Sequence, residues 1–213
     1  MDVQGVTGKL YTFSTWVYRL AYLNVLWLFF TVIGLGVFGI APATVASFGV
    51  SRKWVKDKDE SNIFLSFWQI YKQEFIKSNG IGFILFSVGF ALYLNFQLTM
   101  MIDNIFMFTV IRVLFLISFF VYFLTVVFIF PVYVHFDLKV LQLLKQSFFI
   151  AIAAPLETII TLLLFSVVYF TLALIPGLIP FFGLSLFAFI STIVSLNAFS
   201  KLESRISGSS IEV

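Results

Sequence analysis

The sequence predicts an all-α polytopic membrane bundle of about five transmembrane helices, with amphipathic helices at the membrane surface. Three observations carry that reading. The 213-residue chain is 61% hydrophobic and only 11% charged, against about 25% charged in ordinary globular chains. Residues 20–51, 78–102, 113–136 and 158–200 contain no Asp, Glu, Lys or Arg. At about 1.5 Å per residue, roughly 20 apolar residues cross a hydrocarbon layer of about 30 Å, and these stretches meet or exceed that length.

Along residues 1–20, Val6, Leu10, Phe13, Val17 and Leu20 recur at steps of four and three, with Lys9, Ser14 and Arg19 off the stripe. Tyr11, Trp16 and Tyr18 are amphipathic aromatics of the kind that sit at a membrane–water boundary, so this segment reads as an interfacial helix. The first apolar run is long and lacks a short apolar core with a cleavage site, so no cleavable signal peptide is expected.

Residues 21–51 form the first crossing, with a Gly/Pro break. Gly34, Gly36 and Gly39 precede Ile40-Ala41-Pro42-Ala43-Thr44. Proline favours the first turn of a helix, so Pro42 is expected to start a second helical piece running towards Arg52. Two arrangements follow: one crossing at about 21–40 with a short inner helix, or a re-entrant hairpin. Irregular backbone at membrane depth requires cover by protein or water in either case.

Residues 52–78 read as a cytoplasmic loop with an in-plane helix. Arg52-Lys53-Trp54-Val55-Lys56-Asp57-Lys58-Asp59-Glu60 is plainly aqueous, and Ser61 can cap a helix. Phe64, Phe67, Trp68, Tyr71 and Phe75 share one face of it, opposite Asn62, Ser66, Gln69, Gln73 and Lys77. Such a stripe suits the membrane surface or a docked partner. The second and third crossings fall within 80–134, a cytoplasmic connector at 135–153, the fourth and fifth crossings within 154–199, and a tail at 200–213. One membrane domain thus fills residues 1–213.

Orientation follows from the basic residues. With five crossings, Arg52, Lys53, Lys56, Lys58, Lys72, Lys77, Lys139, Lys145, Lys201 and Arg205 share one side, and Lys9, Arg19 and Arg112 take the other. Basic residues collect on the cytoplasmic side, which places the C-terminus inside. A re-entrant first hairpin would bring Lys9 and Arg19 inside as well.

Reactive groups are scarce. The absence of cysteine excludes disulfides and thiolate chemistry, and the single histidine, His135, excludes a multi-histidine metal site. The pair His135 and Asp137 lacks a third ligand, and Asp57, Asp59 and Glu60 lack the glycine and distal acid of a calcium loop. No phosphate-cradling loop or nucleophile elbow occurs. The pI near 9.1 reflects basic residues beside membrane segments, so no nucleic-acid partner is expected. No cofactor, metal or catalytic residue is expected either.

The intramembrane polar candidates are Asn24, Arg112 and Glu157. Glu157 follows Pro155, a combination that marks a helix start favoured by the helix dipole. A buried ion or proton role is its functional alternative. Arg112 sits about one turn into the third crossing, where its guanidinium can snorkel to the interface. Asn24, Asn95 and Gln97 suit hydrogen bonds between helices.

From Asn24 to Gly82 the sequence closely resembles the YesL family, small bacterial membrane proteins classed as a domain of unknown function. The resemblance lies in Asn24-Val25-Leu26-Trp27, the run Gly34-Leu35-Gly36-Val37-Phe38-Gly39-Ile40-Ala41-Pro42-Ala43-Thr44, and Arg52-Lys53-Trp54. Phe67-Trp68, Tyr71-Lys72, Glu74-Phe75, Asn79 and Gly82 complete it. The resemblance implies a bacterial cytoplasmic-membrane protein associated with the use of plant-type oligosaccharides, and supplies no catalytic residue. The expected function is a non-enzymatic accessory of carbohydrate uptake or sensing, alone or as a homo-oligomer. The Phe64/Phe67/Trp68/Tyr71/Phe75 face would dock on a permease, a sensor kinase or the inner leaflet. The alternative is a small carrier or channel whose path runs along Gly39, Pro42, Ala43 and Thr44.

Overall fold

The computed structural model describes residues 3–58, 62–101 and 103–209. It is 91% helical, with no strand among the described residues. Five helices are long and apolar enough to cross a membrane, within α1 (Val3–Ile33), α3 (Ile63–Thr99), α4 (Ile105–His135), α6 (Pro155–Leu174) and α8 (Ser185–Ser209). Three shorter helices complete the chain: α2 (Val37–Arg52), α5 (Val140–Ala153) and α7 (Ile179–Phe182). Asp59, Glu60 and Ser61 lie outside the described residues.

The expected interfacial helix and first crossing are one continuous helix, α1, because nothing between them breaks the backbone ladder. It ends at Gly34-Leu35-Gly36, earlier than Pro42 suggests. Gly36 N–H bonds the Thr31 carbonyl at 2.9 Å and Leu35 N–H the Val32 carbonyl at 3.0 Å. Leu35 and Gly36 stand at φ +59° and +71°. This is the Schellman way of closing a helix, with a left-handed residue reversing the chain.

Pro42 therefore does not start α2; it is the sixth residue of it. The pairs Thr31 with Gly39, Trp27 with Thr44 and Trp16 with Trp54 step along α1 and α2 in opposite directions. Residues 21–51 are thus two antiparallel helices, the hairpin arrangement, and no single crossing. At 16 residues, α2 is about 24 Å long. It is the buried centre of the bundle, with residues 41–48 shielded by α1, α3, α4 and α8. The hairpin returns the chain to the side where α1 begins. Lys9, near the start of α1, and Arg19, beside the Trp16 that packs on Trp54, therefore belong with the basic face, and of the Lys and Arg residues Arg112 remains towards the other end.

The in-plane helix and the second crossing are also one helix. α3 runs 37 residues, roughly 55 Å, because no proline interrupts it. Asn62 caps it, its side-chain oxygen accepting from Phe64 N–H at 3.0 Å and Leu65 N–H at 3.3 Å. Asn104 caps α4 in the same manner. α4 runs antiparallel to α3, as the Tyr122 hydroxyl bonding the Leu85 carbonyl at 3.1 Å and Lys77 pairing with Asp137 at 3.0 Å show. The 135–153 connector contains α5, too short to cross. α8 continues through the expected tail as far as Ser209.

Two apolar cores hold these helices. One joins α1, α2 and the start of α3 through Leu23, Leu26, Phe30, Val50, Trp54 and Phe67. The other joins α4, α5 and α8 through Phe128, Ile129, Val132, Leu143, Ile150 and Phe199. In lipid, such contacts stabilise through close packing rather than water release, which favours small residues where backbones meet. Gly39 is one of these, since a Cβ there would lie 2.4 Å from the Thr31 carbonyl oxygen.

Candidate functional site: a polar recess on the basic face

The end of α2, the Lys53–Asp57 π-turn after it, the 70–77 stretch of α3 and the last turn of α4 enclose a recess of about 420 Å³. Its charged lining is Arg52, Lys53, Asp57, Glu74, Lys77 and Asp137. Two of the acids are already engaged. The Tyr133 hydroxyl donates to Glu74. The Lys77 ammonium pairs with Asp137 at 3.0 Å while lying 5.2 Å from the Tyr133 ring centre.

The two cations at the end of α2 are less satisfied. Lys53 donates to the Ser66 hydroxyl at 3.4 Å, and no carboxylate stands within ion-pair distance of Arg52 or Lys53 among the described residues. The buried Nε of Arg52 has no hydrogen-bond partner, nor has Nδ1 of His135. The His135 ring packs edge-on against Phe136 at 4.5 Å and beside Phe199 at 4.6 Å. A guanidinium offers a planar fork that matches a carboxylate or phosphate. The recess can therefore receive an anionic group at Arg52 and Lys53.

The other residues singled out from sequence are mostly structural. Gly39, Pro42, Ala43 and Thr44 sit in the α1–α2 contact; the Trp27 indole N–H donates to the Thr44 hydroxyl at 3.1 Å. Trp54 is buried between Trp16 and Phe189. Phe67 and Tyr71 do not form a free face. They are buried against Phe30, and the Tyr71 hydroxyl donates to the Phe30 carbonyl at 3.1 Å. Phe75 packs edge-on against Tyr71, and Phe64 and Trp68 remain part-exposed at 38% and 41%. Lys72 points to the exterior, while Asn79 donates to the Phe38 carbonyl at 2.9 Å.

Asn24 is buried and links α1 to the α6–α8 turn. Its amide nitrogen donates to the carbonyls of Ile179 and Pro180 at 3.2 and 2.8 Å. Its oxygen accepts the Leu184 and Ser185 N–H groups at 2.8 and 3.1 Å. Arg112 is exposed, its guanidinium 5.3 Å from the Phe108 ring centre. Glu157 is buried in the first turn of α6 and pairs with Lys201 of α8. Sequence reasoning does not bring Tyr133, Lys77 and Asp137 into one site. Their signal is weak: polar residues just beyond apolar runs, about 60 positions apart.

Residues 20–96, from the middle of α1 nearly to the end of α3, match the family described as "Protein of unknown function, DUF624". Over longer stretches the chain is similar to three proteins of Bacillus subtilis (strain 168), each named as uncharacterised. It is 39% identical to YteU over 89% of this chain and 84% of that protein. It is 36% identical to YesL over 95% of both chains, and 34% identical to YesV over 94% of this chain and 96% of that one. The chain belongs to the DUF624 family. No solved structure matches it. The DUF624 match covers the α1–α2–α3 unit, and with it Arg52, Lys53, Glu74 and Lys77 of the recess. Tyr133 and Asp137, contributed by α4 and the residues just after it, lie beyond the matched segment.

Proposed function

We propose that this multi-pass DUF624 protein is a non-enzymatic accessory subunit of a bacterial carbohydrate uptake or sensing system. It sits in the cytoplasmic membrane with its basic face and C-terminus inside. The observation that carries this reading is the recess. On the Lys/Arg-rich face, Arg52 and Lys53 have no ion-pair partner among the described residues, while Glu74 and Asp137 are engaged by Tyr133 and Lys77 and Asp57 shares the lining. An acidic segment of a permease or sensor kinase complements such a recess through Arg52 and Lys53. The carbohydrate system itself is what the family resemblance implies.

The carrier reading draws less support, because the backbone carbonyl freed by Pro42 is taken by Asn79 and is not left open to a passing ion. The test is co-purification in mild detergent from cells grown on oligosaccharide. Arg52→Glu with Lys53→Glu should abolish recovery of the permease or kinase while the protein still melts at its usual temperature. Undiminished recovery with both substitutions would overturn the recess as the docking site.

A further inference from the structure

A second cleft, of about 480 Å³, opens between α3, α4 and α5. Its walls are apolar, built from Ile84 and Val88 of α3, Ile117 and Val121 of α4, and Phe148 of α5. Val88, Ile117 and Val121 are exposed on the outside of the bundle, which in a membrane is the lipid side. Its few polar side chains are largely committed: the Tyr122 hydroxyl bonds the Leu85 carbonyl and the Thr125 hydroxyl the Val121 carbonyl. One ionised side chain lines the cleft, that of Lys145 on α5.

Lys145 has no carboxylate within ion-pair distance among the described residues. An ammonium beside apolar walls facing lipid is costly without a counter-charge. α5 is 14 residues long, roughly 21 Å. It buries Leu143, Ser147, Ile150 and Ala151 against the bundle while Lys145 stays exposed. A short helix of this kind, starting three residues after Asp137 at the basic end of α4, suits the headgroup level of a membrane, where a lysine meets phosphate. The volume is that of an ordinary ligand site.

We infer that the α3–α4–α5 cleft binds one phospholipid of net negative charge, its phosphate on Lys145 and an acyl chain along Val88, Ile117 and Val121. Net charge matters because a zwitterionic headgroup brings its own ammonium beside the lysine, whereas an anionic one leaves the phosphate free to neutralise it. This site is separate from the Arg52 recess and does not depend on the proposed partner.

The experiment uses the full chain in detergent, with phosphatidylglycerol and phosphatidylcholine of identical acyl chains. Phosphatidylglycerol should raise the melting temperature by several degrees and persist as a one-to-one adduct in native mass spectrometry, and phosphatidylcholine should do neither. Lys145→Gln, at an exposed position, should erase the difference without lowering the lipid-free melting temperature. Val121→Trp, which fills the cleft but keeps the charge, should erase it too. Equal stabilisation by both lipids would overturn the inference, as would a phosphatidylglycerol preference that survives Lys145→Gln. An equal shift with glycerol phosphate alone would assign the site to a free anion and overturn the lipid.

Discussion

Asn79 supplies the hydrogen bond that Pro42 withholds. Proline has no N–H to give the carbonyl four residues before it, here that of Phe38. The Asn79 amide donates to that oxygen at 2.9 Å from the neighbouring helix. A helix-weakening residue in α2 and a polar residue in α3 thus form one device that joins the two helices side by side. Asn79→Leu should destabilise the protein by about 1–2 kcal/mol, the cost of leaving a carbonyl unpaired away from water. Pro42→Ala in the same chain should recover most of it, because alanine restores an N–H that reaches the Phe38 carbonyl within α2. Unfolding of both variants in detergent measures the coupling, and strictly additive losses would count against it.

Asn24 makes four hydrogen bonds to the α6–α8 turn. It satisfies backbone groups that the ends of α7 and α8 leave open. Asn24→Leu should cost about 2 kcal/mol, at roughly 0.6 kcal/mol per interhelical bond in a membrane. Protease cleavage within 176–183 should accelerate selectively, and uniform acceleration at all sites would argue against this local role.

Gly39 and Gly80 should respond oppositely to alanine. A Cβ at Gly39 meets the Thr31 carbonyl oxygen and Cα at 2.4 and 2.8 Å, both backbone atoms, whereas at Gly80 it meets nothing within 4 Å. Gly39→Ala must spread α1 from α2 and should cost about 2–3 kcal/mol. Gly80→Ala, inside the long α3, should be neutral or stabilise by up to about 1 kcal/mol. Melting temperatures of the two variants decide the matter.

Glu157 is 6% exposed, and its ion-pair partner Lys201 lies on the exposed edge of α8. Removing the lysine takes one favourable charge from beside a buried carboxylate, whereas removing both charges leaves no such imbalance. Lys201→Met should lower stability by about 1–2 kcal/mol, and Glu157→Gln added to it should restore at least half. A double-mutant cycle gives the answer; independent, additive effects would remove the pair from the account.

The hairpin of α1 and α2 makes a topological prediction that a cysteine-free chain allows to be read cleanly. Single substitutions Gly8→Cys and Lys58→Cys should react with impermeant maleimide from the same side of the membrane, and Asp103→Cys from the other. With the basic face in the cytoplasm, only Asp103→Cys labels in intact cells. Labelling of Gly8→Cys and Lys58→Cys from opposite sides would dismantle the hairpin.

Much of this protein can be read along one dimension. The stretches without charge mark where helices cross, because an exposed ionised group in hydrocarbon is costly. The start at Pro155 is a local event decided within a few residues and is read correctly; the caps at Asn62 and Asn104 are local too, but the sequence suggests Ser61 for the first and none for the second. The α1–α2–α3 family segment is legible because its Gly, Pro, Trp and Asn residues occur in an unusual order.

Pairings between distant residues are not legible. Nothing near Pro42 tells that Asn79 will rescue Phe38, so the chain alone suggests a break at the proline rather than at Leu35 and Gly36. Nothing near Phe67 and Tyr71 tells that Phe30 covers them, so a face filled from within looks free for a partner. The recess likewise needs Glu74 with Tyr133 and Lys77 with Asp137, contacts that exist only once α3 and α4 run antiparallel. Hydropathy depends on each residue's own transfer energy and is local, whereas a hydrogen bond or ion pair depends on position in space. Only packing the helices together brings those partners within reach.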